Sequence, residues 1–186
     1  MNEKIIWDFL YSKLKNTYGT AGLMGNLFAE SSLNPQLANG IKKRGMTNET
    51  YTMAVDAGKN NNFINDGIAY GLAQWCYHTR KKALLDKARA ENKSVGDINV
   101  QLEYLWDEIQ KYKTVVNVLY SAKSVKEASD IVLTKYERPA NQSDTVKNKR
   151  ASYGEKYLKM FKDQQPQIKL SIKVAREIKY KLERTT

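Results

Sequence analysis

A carboxylate at the end of an apolar, glycine-punctuated stretch is the strongest chemical signal in this 186-residue chain. Glu30 closes Ala21-Gly22-Leu23-Met24-Gly25-Asn26-Leu27-Phe28-Ala29-Glu30 and is followed by Ser31-Ser32-Leu33-Asn34-Pro35. Leu23, Met24, Leu27 and Phe28 follow the spacing of one helical face, with Thr20 the expected N-cap and Asn34-Pro35 the stop. An acid at the C-terminal end of a helix lies in the negative field of the macrodipole, which disfavours an ionised carboxylate by about 0.3–1 kcal/mol. Desolvation by Leu27 and Phe28 acts in the same direction, as suits a carboxylic acid that donates a proton near neutral pH. Glu30 is therefore the expected general acid.

Two further segments carry chemistry-bearing residues. Asp66-Gly67-Ile68-Ala69-Tyr70-Gly71-Leu72-Ala73-Gln74-Trp75 places an acid, an amide and two aromatics around Gly71, a residue that marks close approach of a backbone or a ligand. Tyr136-Glu137-Arg138-Pro139 closes a later helix. Each also fits a purely structural role. Glycines 22 and 25 allow another backbone close to one helix face, Tyr70, Gln74 and Trp75 fit an ordinary core and its polar network, and Glu137 and Arg138 can pair with neighbours.

Together these pieces resemble the phage tail lysozyme family of the lysozyme-like superfamily, which is related to goose-type lysozymes and lytic transglycosylases. The resemblance spans about residues 3–162. It is carried by Gly-x-x-Gly-Asn-x-x-x-Glu-Ser at Gly22–Ser31, Gly-Leu-x-Gln-Trp at Gly71–Trp75 and the Tyr136–Pro139 motif. It implies a two-lobed, lysozyme-like domain that cleaves the β-1,4 bond between N-acetylmuramic acid and N-acetylglucosamine in bacterial peptidoglycan, with Glu30 as acid. Ser31, Tyr70, Gly71, Gln74, Trp75, Tyr136 and Glu137 are then the expected substrate-binding residues, Gln74 hydrogen-bonding an N-acetyl or hydroxyl group while Tyr70 and Trp75 stack on sugar faces. Glycoside hydrolysis ordinarily uses a second carboxylate. The position that holds the partner Asp in animal c-type lysozymes is Ala69 here. Asp66 ranks first as the substitute, ahead of Asp56 and Glu137. A lytic transglycosylase, giving 1,6-anhydro products with Glu30 alone, is the alternative chemistry.

The elements that must position these groups are helical. Helices are expected over residues 3–18, over the segment ending at Glu30, and over 80–91, 98–109, 115–122 and 143–161; Ser124-Val125-Lys126-Glu127 is a capping box opening one more. The stretch from Asn34 to Asp66 is rich in Gly, Asn, Thr and Asp and contains one strand-like run, Thr50–Val55, so a small β-hairpin or loop insertion is expected there. The fold class is mainly α (α+β), with residues 1–162 as the catalytic domain. Residues 163–186 contain a Gln/Pro spacer, Gln164–Gln167, and after it Leu170, Val174, Ile178 and Leu182 at four-residue steps among lysines and arginines, a basic amphipathic helix or linker. Packing on the domain or on another copy, or docking to a phage tail or secretion machine, is the role it fits.

Composition narrows the function classes. The length is that of one domain with a substantial core. Net charge is +11, and residues 76–186 carry twenty-four Lys/Arg against fourteen Asp/Glu. Such a surface attracts polyanions, among them the anionic polymers of a bacterial wall. A nucleic-acid- or wall-binding module without activity is the non-enzyme alternative, but no helix-turn-helix, RNP or zinc-finger signature accompanies the lysines, and a nucleic-acid partner is not expected. One cysteine and one histidine, Cys76 and His78, leave no internal disulfide and no His-rich metal cluster, so neither metal nor cofactor is expected. Cys76 is read as a buried thiol. No run approaches the ~20 apolar residues of a membrane span, and Met1–Asp8 lacks the apolar core of a signal peptide. Action on the wall from outside is expected to follow delivery on a virion or release through a holin.

Overall fold

The computed structural model describes residues 2–163, and the basic segment expected over residues 163–186 lies, but for its first residue, outside them. Among the described residues eight α-helices follow one another: α1 (Asn2–Leu14), α2 (Thr17–Ser31), α3 (Asn48–Asp56), α4 (His78–Ala90), α5 (Ile98–Ile109), α6 (Lys113–Ser121), α7 (Val125–Ile131) and α8 (Asp144–Phe161). Two short 3-10 turns, Ile41–Arg44 and Phe63–Asn65, flank α3, and α7 runs on into a π-helical segment, Val132–Glu137.

α2 is the central helix. Gly19 through Leu27 are buried without interruption, so the helix is enclosed on all sides rather than on one stripe. It packs against α1, α6, α7 and α8. Glycines set its distance from three of them, Gly19 against Leu119 of α6 and two more against α7 and α8. A Cβ on Gly22 would stand 2.5 Å from the Ala128 Cβ and 2.7 Å from the Ser129 nitrogen of α7, and one on Gly25 would stand 2.6 Å from both the Arg150 carbonyl oxygen and the Gly154 nitrogen of α8. Phe28 adds edge-on contacts with Tyr153 and Tyr157 of α8.

The ends of α2 are fixed separately. The N-cap is Asn16, not Thr20: its side chain accepts from the Gly19 amide and donates to the carbonyls of Tyr120 and Ala122, tying the helix start to the end of α6. Thr20 lies inside the first turn and bonds the Asn16 carbonyl. At the other end Ser32 and Leu33 both take left-handed φ angles, 52° and 60°, and the Ser32 amide returns to the Phe28 carbonyl. Two consecutive non-glycine residues in that region cost energy. Leu33, 2 % exposed, offsets it by burial, and the reversal leaves Glu30 in the last turn with solvent beside it.

The expected β-hairpin is absent among the described residues. Thr50–Val55 is part of α3, because Thr47 caps the helix by accepting from the Thr50 amide while Thr50 returns a bond to the Thr47 amide, and because Tyr51, Thr52 and Val55 then fall on one buried face. Burial overrides the strand propensity of Thr and Val. Extended pairing is confined to single antiparallel bridges, Ala38 with Tyr70 and Tyr70 with Trp75, the latter closed by reciprocal backbone bonds across Gly71–Gln74. α4 packs on α5 and on the Phe63–Asn65 turn, and α1 touches both α2 and α5, so one contiguous hydrophobic core runs through the chain.

Candidate active site

Glu30 projects from the last turn of α2 with its side chain 20 % exposed, and the group bound to it is Arg150 of α8, whose Nη2 donates to Glu30 Oε1 at 2.6 Å. The other arm of the guanidinium, Nη1, donates to Asn26 Oδ1 at 3.2 Å. The Asn26 amide nitrogen in turn donates to the Gly22 carbonyl and to the carbonyl and hydroxyl of Ser129. The motif Gly22-x-x-Gly25-Asn26-x-x-x-Glu30 thus has a physical account. Gly22 brings α7 close enough for Ser129 to fix Asn26, and Gly25 brings α8 close enough for Arg150 to bridge Asn26 and Glu30, which share a helix face at i and i+4. A fork of five fixed donors is what makes arginine suited to such a bridge.

Glu137 is the second acid at this place. It ends the π-helical segment, where Arg138 takes a left-handed φ of 51° and returns its amide to the Leu133 carbonyl. π-helical turns inside helices are concentrated at functional sites. The Glu137 carboxyl is pushed up to about 8, first by burial and then by the negative charge of Glu30; Glu108 adds to this, while Arg80 and Arg150 oppose it. Its Oε1 is buried and has no hydrogen-bond partner. A neutral carboxyl thus stands within the field of an ion-paired one, the arrangement by which environment separates two carboxyl roles.

Behind Glu137 a buried polar platform fixes the end of the segment. Glu108 of α5 accepts from Arg80 Nε at 2.6 Å and Nη2 at 2.8 Å, from Tyr136 Oη at 2.5 Å, from Trp75 Nε1 at 2.9 Å and from Tyr104 Oη at 3.2 Å. Burial alone would raise the Glu108 carboxyl; the Arg80 ion pair and the Tyr136 and Trp75 bonds bring it below the usual carboxylate range. Arg80 also lies over the Tyr136 ring, 5.3 Å from its centre.

The remaining expected site residues do other work. Tyr70 and Trp75 are fully buried, so neither ring has a face left for a sugar. Tyr70 bonds the Thr52 hydroxyl and packs on Tyr51 and Phe63, while Trp75 packs on Tyr104 and serves Glu108. Tyr136, 3 % exposed, belongs to the platform and reaches the site only through Glu137 beside it. Ser31 is buried and bonds the Leu27 carbonyl. The space beside Gly71 is filled by Gln101: a Cβ there would stand 2.6 Å from Gln101 Oε1, which accepts from the Leu72 amide. Gln74 donates to the carbonyls of Leu37 and Gly71, holding the turn closed, and its Oε1 is buried without a hydrogen-bond partner.

Asp66 is engaged in a buried ion pair. Its side chain is 2 % exposed and accepts from Lys81 Nζ at 2.6 Å, from Tyr51 Oη at 2.5 Å and from the Ile68 amide; Lys81 is itself fully buried. Burial lowers the Lys81 ammonium despite the Asp66 charge. No hydrogen bond or ion pair among the described residues joins Asp66 to Glu30 or Glu137. Asp56 caps a loop, accepting from the Ser94 hydroxyl and the Val95 amide. Cys76 is exposed rather than buried.

The groups that sequence reasoning missed are Arg150, Asn26, Arg80 and Glu108. Asn26 stood inside a quoted motif without a role, and Arg150 follows Lys147-Asn148-Lys149 in a helix whose basic face reads as solvated. A model of phage tail lysozymes matches residues 1–161, and the chain therefore belongs to the phage tail lysozyme family, with the lysozyme-like, peptidoglycan-lytic activity and the phage-tail setting of that family.

Proposed function

We propose that the chain is a muramidase that hydrolyses the β-1,4 bond between N-acetylmuramic acid and N-acetylglucosamine, with Glu30 as general acid. The observation that carries this reading is Glu30, one-fifth exposed and paired with Arg150, near enough to Glu137 for its charge to help burial push that carboxyl up to about 8. A carboxyl that burial keeps protonated, beside a carboxylate held in an ion pair, offers both a proton and a negative charge, which acid-assisted glycoside cleavage requires. Glu30 is the group open to solvent and so the one that meets the glycosidic oxygen. Glu137 is the second carboxyl, in the place for which Asp66 was first expected. Once Glu30 has given up its proton, a carboxylate at this pair is available to draw a proton from water attacking the sugar. The net charge of +11 favours residence on an anionic wall.

Digestion of purified peptidoglycan with the wild type and with Glu30→Gln, followed by mass spectrometry of the fragments, tests the reading. Reducing muramic ends that disappear in the variant support it. A predominance of 1,6-anhydro ends assigns the chain to lytic transglycosylation instead, and undiminished cleavage by Glu30→Gln removes Glu30 from the mechanism.

A further inference from the structure

The proposed mechanism needs a proton on Glu30, yet it is Glu30 that carries the guanidinium of Arg150 at 2.6 Å, while the neutral carboxyl is Glu137. We propose that Arg150 is a positioning residue that exchanges between the two carboxylates, pairing with Glu30 in the empty site and with Glu137 once Glu30 is loaded for catalysis. This rests on the reading of Glu30 as the acid. The exchange balances without another reactant: Glu137 loses a proton, Glu30 gains it, and the guanidinium follows the negative charge.

Three observations point to it. First, the guanidinium has a pivot. Nη1 donates to Asn26, a neutral group itself held by Gly22 and Ser129, so the rigid fork can tilt about that contact and swing its Nη2 edge from one carboxylate toward the other. Second, there is a place for the arm to go, because Glu137 Oε1 is buried and has no partner. Third, the other cation near Glu137 is committed elsewhere. The groups whose charges act on Glu137 are Glu30 from α2, Arg80 from α4, Glu108 from α5 and Arg150 from α8, and Arg80 is held in a two-pronged pair by Glu108. Arg150, by contrast, gives a carboxylate one nitrogen alone, its second bond being to the neutral Asn26. The trigger is the substrate. A sugar laid over Glu30 removes water from the exposed carboxylate, which disfavours its charge, whereas the positive charges of Arg80 and Arg150 continue to favour ionisation of Glu137.

The test combines variants with a direct view of the loaded site. Glu137→Gln leaves Arg150 no second carboxylate to follow and no proton to pass on; cleavage at pH 7 is expected to fall at least about a hundredfold, with peptidoglycan binding retained. Adding Arg150→Gln to that variant frees Glu30 to take its proton from solvent, and the double variant is expected to cleave at least about tenfold faster than Glu137→Gln, most clearly at acid pH. A double variant no faster than Glu137→Gln would mean that Arg150 is a strut only, and the exchange would be wrong. Arg150→Gln alone is expected to move the alkaline limb of the kcat profile to higher pH, since Arg150 lowers Glu137; an unmoved limb counts against the exchange. Where the Gln variants do not fold, the wild type decides. In its structure with an N-acetylglucosamine oligomer bound, Arg150 is expected on Glu137, and Arg150 found still on Glu30 overturns the proposal. Glu30→Gln separates the two layers. If it still cleaves, the muramidase mechanism fails with the exchange; if it is inactive while the other tests fail, only the exchange falls.

Discussion

Gly25 and Arg150 meet where α2 crosses α8, with a Cβ on Gly25 placed 2.6 Å from the Arg150 carbonyl oxygen. Neither that carbonyl nor the Gly154 amide nitrogen, also at 2.6 Å, can turn aside as a side chain would, so the helices must part to admit one methyl group. Gly25→Ala is expected to cost about 1–3 kcal/mol by overpacking. It is also expected to weaken cleavage by more than that loss explains, because separation of α2 from α8 lengthens the bridge from Arg150 to Asn26 and Glu30. Urea unfolding alongside initial rates under conditions where the variant is fully folded checks both. A stable variant with normal rates would show that the close approach is packing alone.

Trp75 discriminates between a sugar platform and a buried strut. The ring is fully buried and its Nε1 donates to Glu108 Oε2 at 2.9 Å, so Trp75→Phe removes a bond to a buried charge and leaves a void. A loss of roughly 1.5–3 kcal/mol is expected from the hydrogen bond to a charged group. The apparent KM for peptidoglycan should not change. A stable protein with a KM raised several-fold would restore the stacking role.

The helical framework was legible because periodicity is strong where burial is one-sided: the apolar spacing of residues 98–109 predicts α5 with the bounds observed. The capping box at Ser124 was also legible, although Glu127 bonds the amide of Lys123 rather than that of Ser124 itself. α3 was not, since Thr50–Val55 has strand-forming residue types and its helical state depends on Tyr51 and Val55 being buried by distant segments. In the candidate site, Glu30 stood out by its motif, whereas Arg150 lies 120 residues away and shares its surroundings with lysines. Aromatic type carries no direction, so Tyr70 and Trp75 suited a sugar platform as well as a core. Asp66 ranked above Glu137 because it lies three residues before Ala69, the position of the missing partner acid, whereas its burial against Lys81 depends on a residue fifteen positions further on.

Asp66→Asn is expected to reduce stability rather than chemistry. Lys81 is fully buried against Asp66 at 2.6 Å, and neutralising one partner leaves the other charge without compensation. Breaking such a pair costs about 3–5 kcal/mol. Loss of activity per folded molecule is expected to stay below about tenfold, or ~1.4 kcal/mol, the limit for a residue outside the reaction. Thermal melts and rates normalised to folded protein separate the effects. A folded, stable Asp66→Asn that is inactive would return Asp66 to the mechanism.

Glu137 should leave a signature in stability as a function of pH. Its carboxyl is raised from the ordinary 4.5 to about 8, mainly by burial and then by Glu30, so between those values the unfolded chain releases a proton that the folded chain keeps. Below pH 4.5 the acid is protonated in both states and costs nothing. As pH rises toward 8 ionisation increasingly favours the unfolded chain, and above 8 the penalty levels off at a magnitude on the order of a few kcal/mol. Glu137→Gln removes the titration while keeping the shape. The variant is therefore expected to match the wild type near pH 4.5 and to melt at a higher temperature near pH 8, even as cleavage is lost. The same burial that destabilises the fold at alkaline pH keeps a proton beside Glu30 at neutral pH, so a variant less stable than the wild type at pH 8 would undercut both the buried neutral carboxyl and the mechanism that draws on it.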